Sequence, residues 1–573
     1  MARSWTVAAY LARRLEQAGV GHVFGVPGDF CLPFFDALSA AELEVVGACN
    51  ELNAGYAADG YARLHGVGAL AVTWNVGGFS VLNAVAGASA ERVPVVAVCG
   101  APRVARRHGG GPPRGVLHHS VGDPHAQFKA FRGVVENAAR LVDPAAAPQQ
   151  IDEALAACLR ERRPAYVELP VDVSRVACGE PGAFAPDTAV RSDPGALAEA
   201  VARAAALVAT AGRGVDVWSG GASGAPSGSS SGPPVTVLAG IEVQRFGLAV
   251  EVLELVDHLG CPFVTTVHAK TVLPETHPLF AGVYVGALGD DLPREVADGA
   301  GVVLGLGSLL TDLDLGIDTA RFDRSRLIAA ASDVVRVGRR VYRGVALADF
   351  VAGLRASLPA ARESAAHWAR PPAPSVAAPV RDAPLTSRRF YELVRSIISP
   401  SSVVLADVGD ALLSVAGLPM PAGATSLCQA FYASIGWSVP AALGVACAAP
   451  SLRPLTFVGD GAFQMTGMEL STLVRRRHNA VVFVLDNGGY LFERCIHDGP
   501  FNDLNPWRYA DLPRVFGGSP GRVVATEGEV QDALAHIQAH PSELTLVQVR
   551  LGRTDASDTL RRFAGTVGGG PAR

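Results

Sequence analysis

The chain has 573 residues, a net charge of −5 and 49% hydrophobic residues, which is length for roughly three to four domains with large cores. No basic run marks a nucleic-acid face, no stretch of eighteen apolar residues marks a membrane span, and Lys129 and Lys270 are the only lysines. Nine cysteines without a C-x-x-C pair, and an N-terminus without a signal-peptide core, lead us to expect a soluble, cytoplasmic protein with reduced thiols.

Residues 7–15 have amphipathic helical spacing, and apolar runs at 23–26, 43–46, 68–73, 93–98 and 165–169 then alternate with helical stretches. That alternation predicts one α/β layer domain over 1–183. A helix over 195–211 opens a second block, 190–365, with strands expected at 235–239, 262–267, 302–306 and 327–330. Its Gly/Ser-rich stretch 219–234 can bury nothing and predicts a surface loop. No G-x-G-x-x-G follows a strand there, so no dinucleotide is expected. A Pro-rich linker over 366–384 leads to a third block, 385–557, and a C-terminal tail, 558–573. The fold class expected is α/β, with three doubly wound parallel-sheet domains.

The third block holds the most informative pattern. Gly459-Asp460-Gly461 ends an apolar run at 454–458, a helical stretch follows over 462–477, and a second apolar run at 480–485 leads to Asn487. In such a βαβ unit the carboxyl ends of both strands carry polar oxygens, where open α/β sheets bind ligands. Glycines let backbone approach a phosphate at a helix N-terminus, and Asp460 and Asn487 offer hard oxygen ligands that suit Mg²⁺. The plainer alternative is a tight turn whose Asp caps the helix.

Twenty-five residues separate Gly461 from Asn487, a spacing that resembles the thiamin diphosphate motif. The segment 48–63, which carries Glu51, resembles the N-terminal domain of the same enzymes. Segments 25–30, 73–88, 90–95, 117–120, 434–442 and 487–503 are similar to the pyruvate/indolepyruvate decarboxylase family. The resemblance covers essentially the whole chain and is weakest in the middle, apart from 282–286; the Gly/Ser stretch looks like an addition to the family's plan.

What the resemblance implies is a pyrimidine-binding, a central and a diphosphate-binding domain, with thiamin diphosphate and Mg²⁺ as cofactors. Glu51 would hydrogen-bond the aminopyrimidine and favour the tautomer that generates the ylid. The ylid attacks a 2-keto carbon, and the thiazolium accepts the electrons left as CO₂ departs. Asp29, His118, His119 and Glu493 would position substrate and handle protons. Asp460, Asn487 and the Gly489 carbonyl would hold the metal, with Gly459, Gly461, Ala462 and Tyr490 around the diphosphate. Ala433 and Ser434 would lie at the cofactor, and Ile435 would wedge beneath it.

Three positions depart from the family's pattern: Asp410 stands where Thr is usual near the pyrimidine, Ala433 replaces Gly, and Ala462 replaces Ser. Phe492 replaces a smaller aliphatic residue at the substrate pocket, with Leu412 and Ile496 as further wall candidates; Leu491 replaces Thr. Phe492 would either restrict the pocket to pyruvate or stack on a larger acid such as phenylpyruvate or indolepyruvate. The arginine-bearing segment 103–114 predicts a lid-like loop. The expected activity is non-oxidative decarboxylation of a 2-keto acid to an aldehyde and CO₂. The alternatives are an acyloin- or acetolactate-type carboligase and a non-catalytic cofactor-binding relative. The resemblance further implies a homodimer at least, commonly a homotetramer, with neither nucleic acid nor membrane as a partner.

Overall fold

The computed structural model describes residues 5–104, 116–213, 232–361 and 365–568, without the side chains of 212 and 213. The loops expected at 103–114 and 219–234 therefore lie largely outside the described residues. Among the described residues no helix is long and apolar enough to cross a membrane.

Three sheets follow one another along the chain. The first comprises β1 (His22–Gly25), β2 (Glu44–Gly47), β3 (Gly68–Val72), β4 (Val95–Ala101), β5 (Asn137–Arg140) and β6 (Ala165–Pro170). Its order is β2-β1-β3-β4-β6-β5, with every pair parallel. Strands β3, β4 and β6 are buried at every residue, which is why they read as unbroken apolar runs.

The middle sheet comprises β7 (Val235–Ala239), β8 (Phe263–Thr266), β9 (Phe280–Tyr284), β10 (Val302–Leu306), β11 (Leu327–Ala331), β12 (Val334–Val337) and β13 (Arg340–Arg343). Its order is β13-β12-β11-β10-β7-β8-β9. The sheet is parallel from β9 to β11, as expected, and β12 and β13 add to its edge antiparallel. The links β11–β12 and β12–β13 are two-residue turns, long enough only for hairpins. The crevice between β7 and β10, where such a sheet would seat a ligand, is filled by backbone. A Cβ on Gly240 would lie 2.2 Å from Ser308 Cα, and one on Gly307 would lie 2.6 Å from Val243 N.

The third sheet comprises β14 (Ser402–Ala406), β15 (Thr425–Cys428), β16 (Arg453–Gly459), β17 (Val481–Asp486), β18 (Arg522–Val524) and β19 (Thr545–Arg550). Its order, β15-β14-β16-β17-β19-β18, repeats that of the first sheet, again wholly parallel. The single helix expected over 462–477 is instead Asp460–Thr466, a 3₁₀ turn Gly467–Glu469 and Leu470–Arg475. Phe463 folds over the break, its ring 2.5 Å from where a Gly467 Cβ would be. The turn aims buried Glu469 at the first domain, where it accepts hydrogen bonds from Cys49 N (3.0 Å) and Asn53 Nδ2 (2.9 Å).

The two like-wired domains share one core. Helix Glu51–His65, after β2, packs on helix Ser438–Ala448, after β15. Small residues let the backbones touch: a Cβ on Gly60 would lie 2.5 Å from Ala441 O, and one on Gly444 would lie 1.9 Å from Ala57 O. Beside them Arg63, fully buried, pairs with Asp59 (2.6 Å) and Glu91 (2.8 Å), and Glu91 also meets His268 of the middle domain (2.9 Å). Burial alone would raise the Glu91 carboxyl, but His268 and Arg63 outweigh it and hold the group far below the usual range. Its Oε1 accepts from the backbone N–H groups of Phe431 and Tyr432, fixing the loop that leads to Ile435. All nine cysteines are free.

Candidate active site

At the third sheet's switch point, between the carboxyl ends of β14 and β16, lies a cavity of about 410 Å³. Gly459, Asp460, Gly461 and Ala462 form one wall, and Asn487, Gly489 and Tyr490 from beyond β17 form the next. Asp410 and Leu412, on helix Asp410–Gly417, face them, and Ala433 and Ile435 line the floor. Phe492 and Glu493, on helix Leu491–Ile496, complete the ring.

Asp460 is buried, and its carboxylate accepts from Gly461 N (2.8 Å) and Gly489 N (3.0 Å). Burial pushes its pKa up to about 6, against those two N–H groups and with help from the nearby Asp486 charge. The side-chain oxygen of Asn487 is buried with no hydrogen-bond partner among the described residues, a costly arrangement unless something else meets it. A Cβ on Gly459 would meet nothing within 4 Å, so glycine keeps the cavity's volume, whereas one on Gly461 would strike the Tyr490 ring at 2.4 Å. An orphaned oxygen beside a carboxylate, with glycines along the approach, fits a hard divalent cation carrying a phosphate group.

Two of the residues expected from the third domain lie off this cavity. Ser434 is in the same loop, but its hydroxyl pairs with Tyr56 (2.6 Å) and Asn83 (3.1 Å) of the first domain. Ile496 ends its helix one turn past Phe492 and borders a separate open hollow with Arg494, Cys495 and Asp498. Asp410 lines the cavity, yet its carboxylate accepts hydrogen bonds from the Ser557 backbone N–H (3.2 Å) and hydroxyl, at the cap of helix Asp558–Val567. Burial raises the Asp410 pKa, opposed by those same bonds.

Some lining groups escaped the sequence reading. Phe563, in the segment expected to be a C-terminal tail, is on the C-terminal helix with its ring 4.8 Å from that of Phe492. Asp312, Leu313 and Ile317 reach in from the middle domain, and Leu551 from the end of β19. Ile317 has a left-handed φ of 52°, rare for a β-branched residue and a mark of strain at the cavity edge. The signal available for 312–317 was its place just after a strand's carboxyl end.

The first domain presents a second polar group at its own switch point. The turn after β1 passes so close to β3 that a Cβ on Gly28 would lie 2.5 Å from Thr73 Cβ, and the next residue is Asp29. Asp29 Oδ2 lies 2.7 Å from His118 Nε2, and the rings of His118 and His119 are 4.6 Å apart. Asn75 holds the His119 carbonyl at 2.7 Å, and Phe30 stacks on His118 at 5.0 Å. Glu51 begins its helix after the N-cap Asn50, half-buried, with its carboxylate oxygen 3.4 Å from where a Gly77 Cβ would be. Asp29, Glu51, His118 and His119 do not line the cavity of their own chain.

Family profiles match in the same order as the sheets. They are the Thiamine pyrophosphate enzyme N-terminal TPP binding domain at 5–127, the central domain at 232–358 and the C-terminal TPP binding domain at 407–549. Fold and cavity are thus those of a thiamine pyrophosphate enzyme. An alpha-keto-acid decarboxylase of Mycobacterium avium (strain 104) is 36% identical over 560 residues, 96% of this chain and 95% of its own length. One of Mycobacterium tuberculosis (strain ATCC 25618 / H37Rv) is 35% identical over 579 residues, 98% of this chain and 97% of its own. The chain belongs to the thiamine pyrophosphate-dependent 2-keto acid decarboxylases, and is a lyase.

Proposed function

We propose that the protein converts a 2-keto acid with an apolar side chain, pyruvate or larger, to an aldehyde and CO₂ without oxidation. Asp460, Asn487 and the Gly489 carbonyl would hold Mg²⁺, with Gly459, Gly461, Ala462 and Tyr490 around the diphosphate. Bound there, the cofactor supplies the electron sink for loss of CO₂. Ile435, Ala433 and Asp410, which line the same cavity, would contact the cofactor's rings. Glu51 of the partner subunit holds a proton at its carboxylate against the cofactor ring. Asp29, His118 and His119 of the partner subunit, with Glu493, deliver protons and orient the acid. Leu412 and Phe492 exclude water from the acid's side chain.

The observation that carries this reading is the orphaned Asn487 oxygen, sharing one cavity with Asp460, Ile435 and Glu493. The exposure of Asp29 and His118, at 50% and 59% of their side chains, supports a site completed by a second copy, hence a homodimer at least; pairing of dimers into a homotetramer is what the family resemblance implies. The test is a panel of pyruvate, branched-chain, phenylpyruvate and indolepyruvate substrates, with CO₂ and aldehyde measured with and without added aldehyde. Aldehyde equal to CO₂ is expected; an acyloin or acetolactate-type product as the main outcome would replace decarboxylation with carboligation. Mixing inactive Glu51→Gln and Asp460→Ala proteins under subunit exchange should restore activity, since a hybrid dimer contains one intact site.

A further inference from the structure

We propose that Arg494 is a positioning residue for the metal-binding loop, fixing Asn487–Gly489 from behind so that its ligand atoms face the cavity. The inference rests on the reading of Asp460, Asn487 and Gly489 as Mg²⁺ ligands. Arg494 follows Glu493 on the same short helix, and its guanidinium is buried outside the cavity. Nη1 donates to the carbonyls of Asn487 (3.0 Å) and Arg553 (3.3 Å). Nη2 donates to the carbonyls of Gly488 (2.6 Å) and Asn502 (3.4 Å) and to the Asp503 carboxylate (2.8 Å). Asp503 is held in turn by Arg553 at 2.7 Å.

Two consecutive loop carbonyls, those of Asn487 and Gly488, are therefore drawn to one planar cation on the side away from the cavity. Of the loop's remaining groups, the Gly489 N–H lies 3.0 Å from Asp460 Oδ2, and the Asn487 side-chain oxygen is unpartnered on a residue that lines the cavity with Asp460. Gly489, at φ 156°, is pressed onto the guanidinium: a Cβ there would lie 2.2 Å from Arg494 Nη2 and 2.0 Å from Asn502 O. A fork that binds several fixed acceptors at once sets backbone orientation in a way that a lysine ammonium does not. Outer groups of this kind change metal affinity by about 10–100-fold when removed. Arg494 thus acts through the loop and touches neither cofactor nor substrate.

The experiment titrates Mg²⁺ into metal-free full-length protein at fixed thiamin diphosphate, reading cofactor uptake by intrinsic fluorescence, with melting temperatures of the metal-free proteins alongside. Arg494→Lys and Arg494→Met should raise the half-saturating Mg²⁺ concentration about tenfold or more. Asp503→Asn, a partly exposed change that loosens the guanidinium without removing it, should raise it about threefold. The Lys variant failing like the Met variant marks the fork, not the charge, as what matters. Variants that melt lower yet need the same Mg²⁺ as the wild type overturn the proposal and leave Arg494 a structural residue. A wild type whose cofactor uptake ignores Mg²⁺ overturns the ligand assignment and this role together.

Discussion

The first and third sheets have the same strand order, and each collects polar side chains at the carboxyl ends of the strands flanking its switch point. In the third domain those side chains end up enclosed, with Asp460 1% exposed inside a cavity. In the first domain Asp29 and His118 are open to solvent. Wiring alone does not account for the difference. The third domain's edge is roofed by 312–317 of the middle domain and by the C-terminal helix through Phe563, whereas the first domain's polar edge has no matching cover among the described residues of its own chain. One topology used twice gives an enclosed socket in one domain and an open polar face in the other.

Glu51→Gln strikes that division hardest. Turnover should fall about 10²–10⁴-fold while thiamin diphosphate is still retained, because the groups proposed to hold its diphosphate lie in the other domain. Equilibrium dialysis beside a CO₂ assay separates the two. Asp460→Ala should reverse the pattern and lose the cofactor itself. Equal loss of cofactor in both variants would break the division into socket and face.

The seam between the two domains comes next. Gly444→Ala places a methyl 1.9 Å from the Ala57 carbonyl oxygen, a backbone atom unable to step aside, and should cost about 1–3 kcal/mol through overpacking. Gly417→Ala, also in a helix but with nothing within 4 Å, is the control and should not destabilise. Thermal melts of the pair report whether the domains are held as tightly as their shared core implies.

Legibility in the sequence followed how local each feature is. Gly459-Asp460-Gly461 and Asn487 stand out because one strand–helix–strand unit carries both, and buried parallel strands such as β3 and β4 declare themselves as apolar runs. The edge strand β5, Asn137–Arg140, does not: it is half-buried throughout and has no periodicity to read. The 3₁₀ break at Gly467–Glu469 depends on Phe463 and on a glutamate pulled toward Cys49 and Asn53 of another domain. Phe563 and Ile317 join the cavity from 71 residues after and 175 residues before Phe492, distances at which no sequence pattern reports contact.

Phe492 sharpens the contrast on the socket side. Its ring already packs on Phe563 beside Leu413, Leu491 and Leu560, which supports the proposal that it is a wall limiting side-chain length. Phe492→Ala should raise kcat/KM for phenylpyruvate relative to pyruvate by about tenfold, within the range that apolar pocket changes achieve. Loss of turnover on the aromatic acid alone, with pyruvate spared, would make the ring a stacking surface instead.

Asp410 tests how the roof is fastened, and its effect should be the smallest. The carboxylate joins helix Asp410–Gly417 to the cap of helix Asp558–Val567 through Ser557. Burial raises its pKa in the folded protein, so folding favours the protonated acid. This contribution to stability is fully present below the unfolded value of about 4 and declines as pH rises through the raised folded value. When ionised, the group is held by the Ser557 N–H and hydroxyl. Asp410→Thr removes the titration and keeps a hydroxyl that can accept from the Ser557 N–H, so the melting difference between wild type and variant should vary with pH only above about pH 4 and amount to about 1 kcal/mol. Asp410→Ala removes the acceptor as well and should speed tryptic cleavage after Arg561 and Arg562, on the helix it would release. A pH-independent melting difference, with cleavage unchanged in the alanine variant, would mean that the roof is held by the Phe492–Phe563 contact and its leucine neighbours without help from the carboxylate.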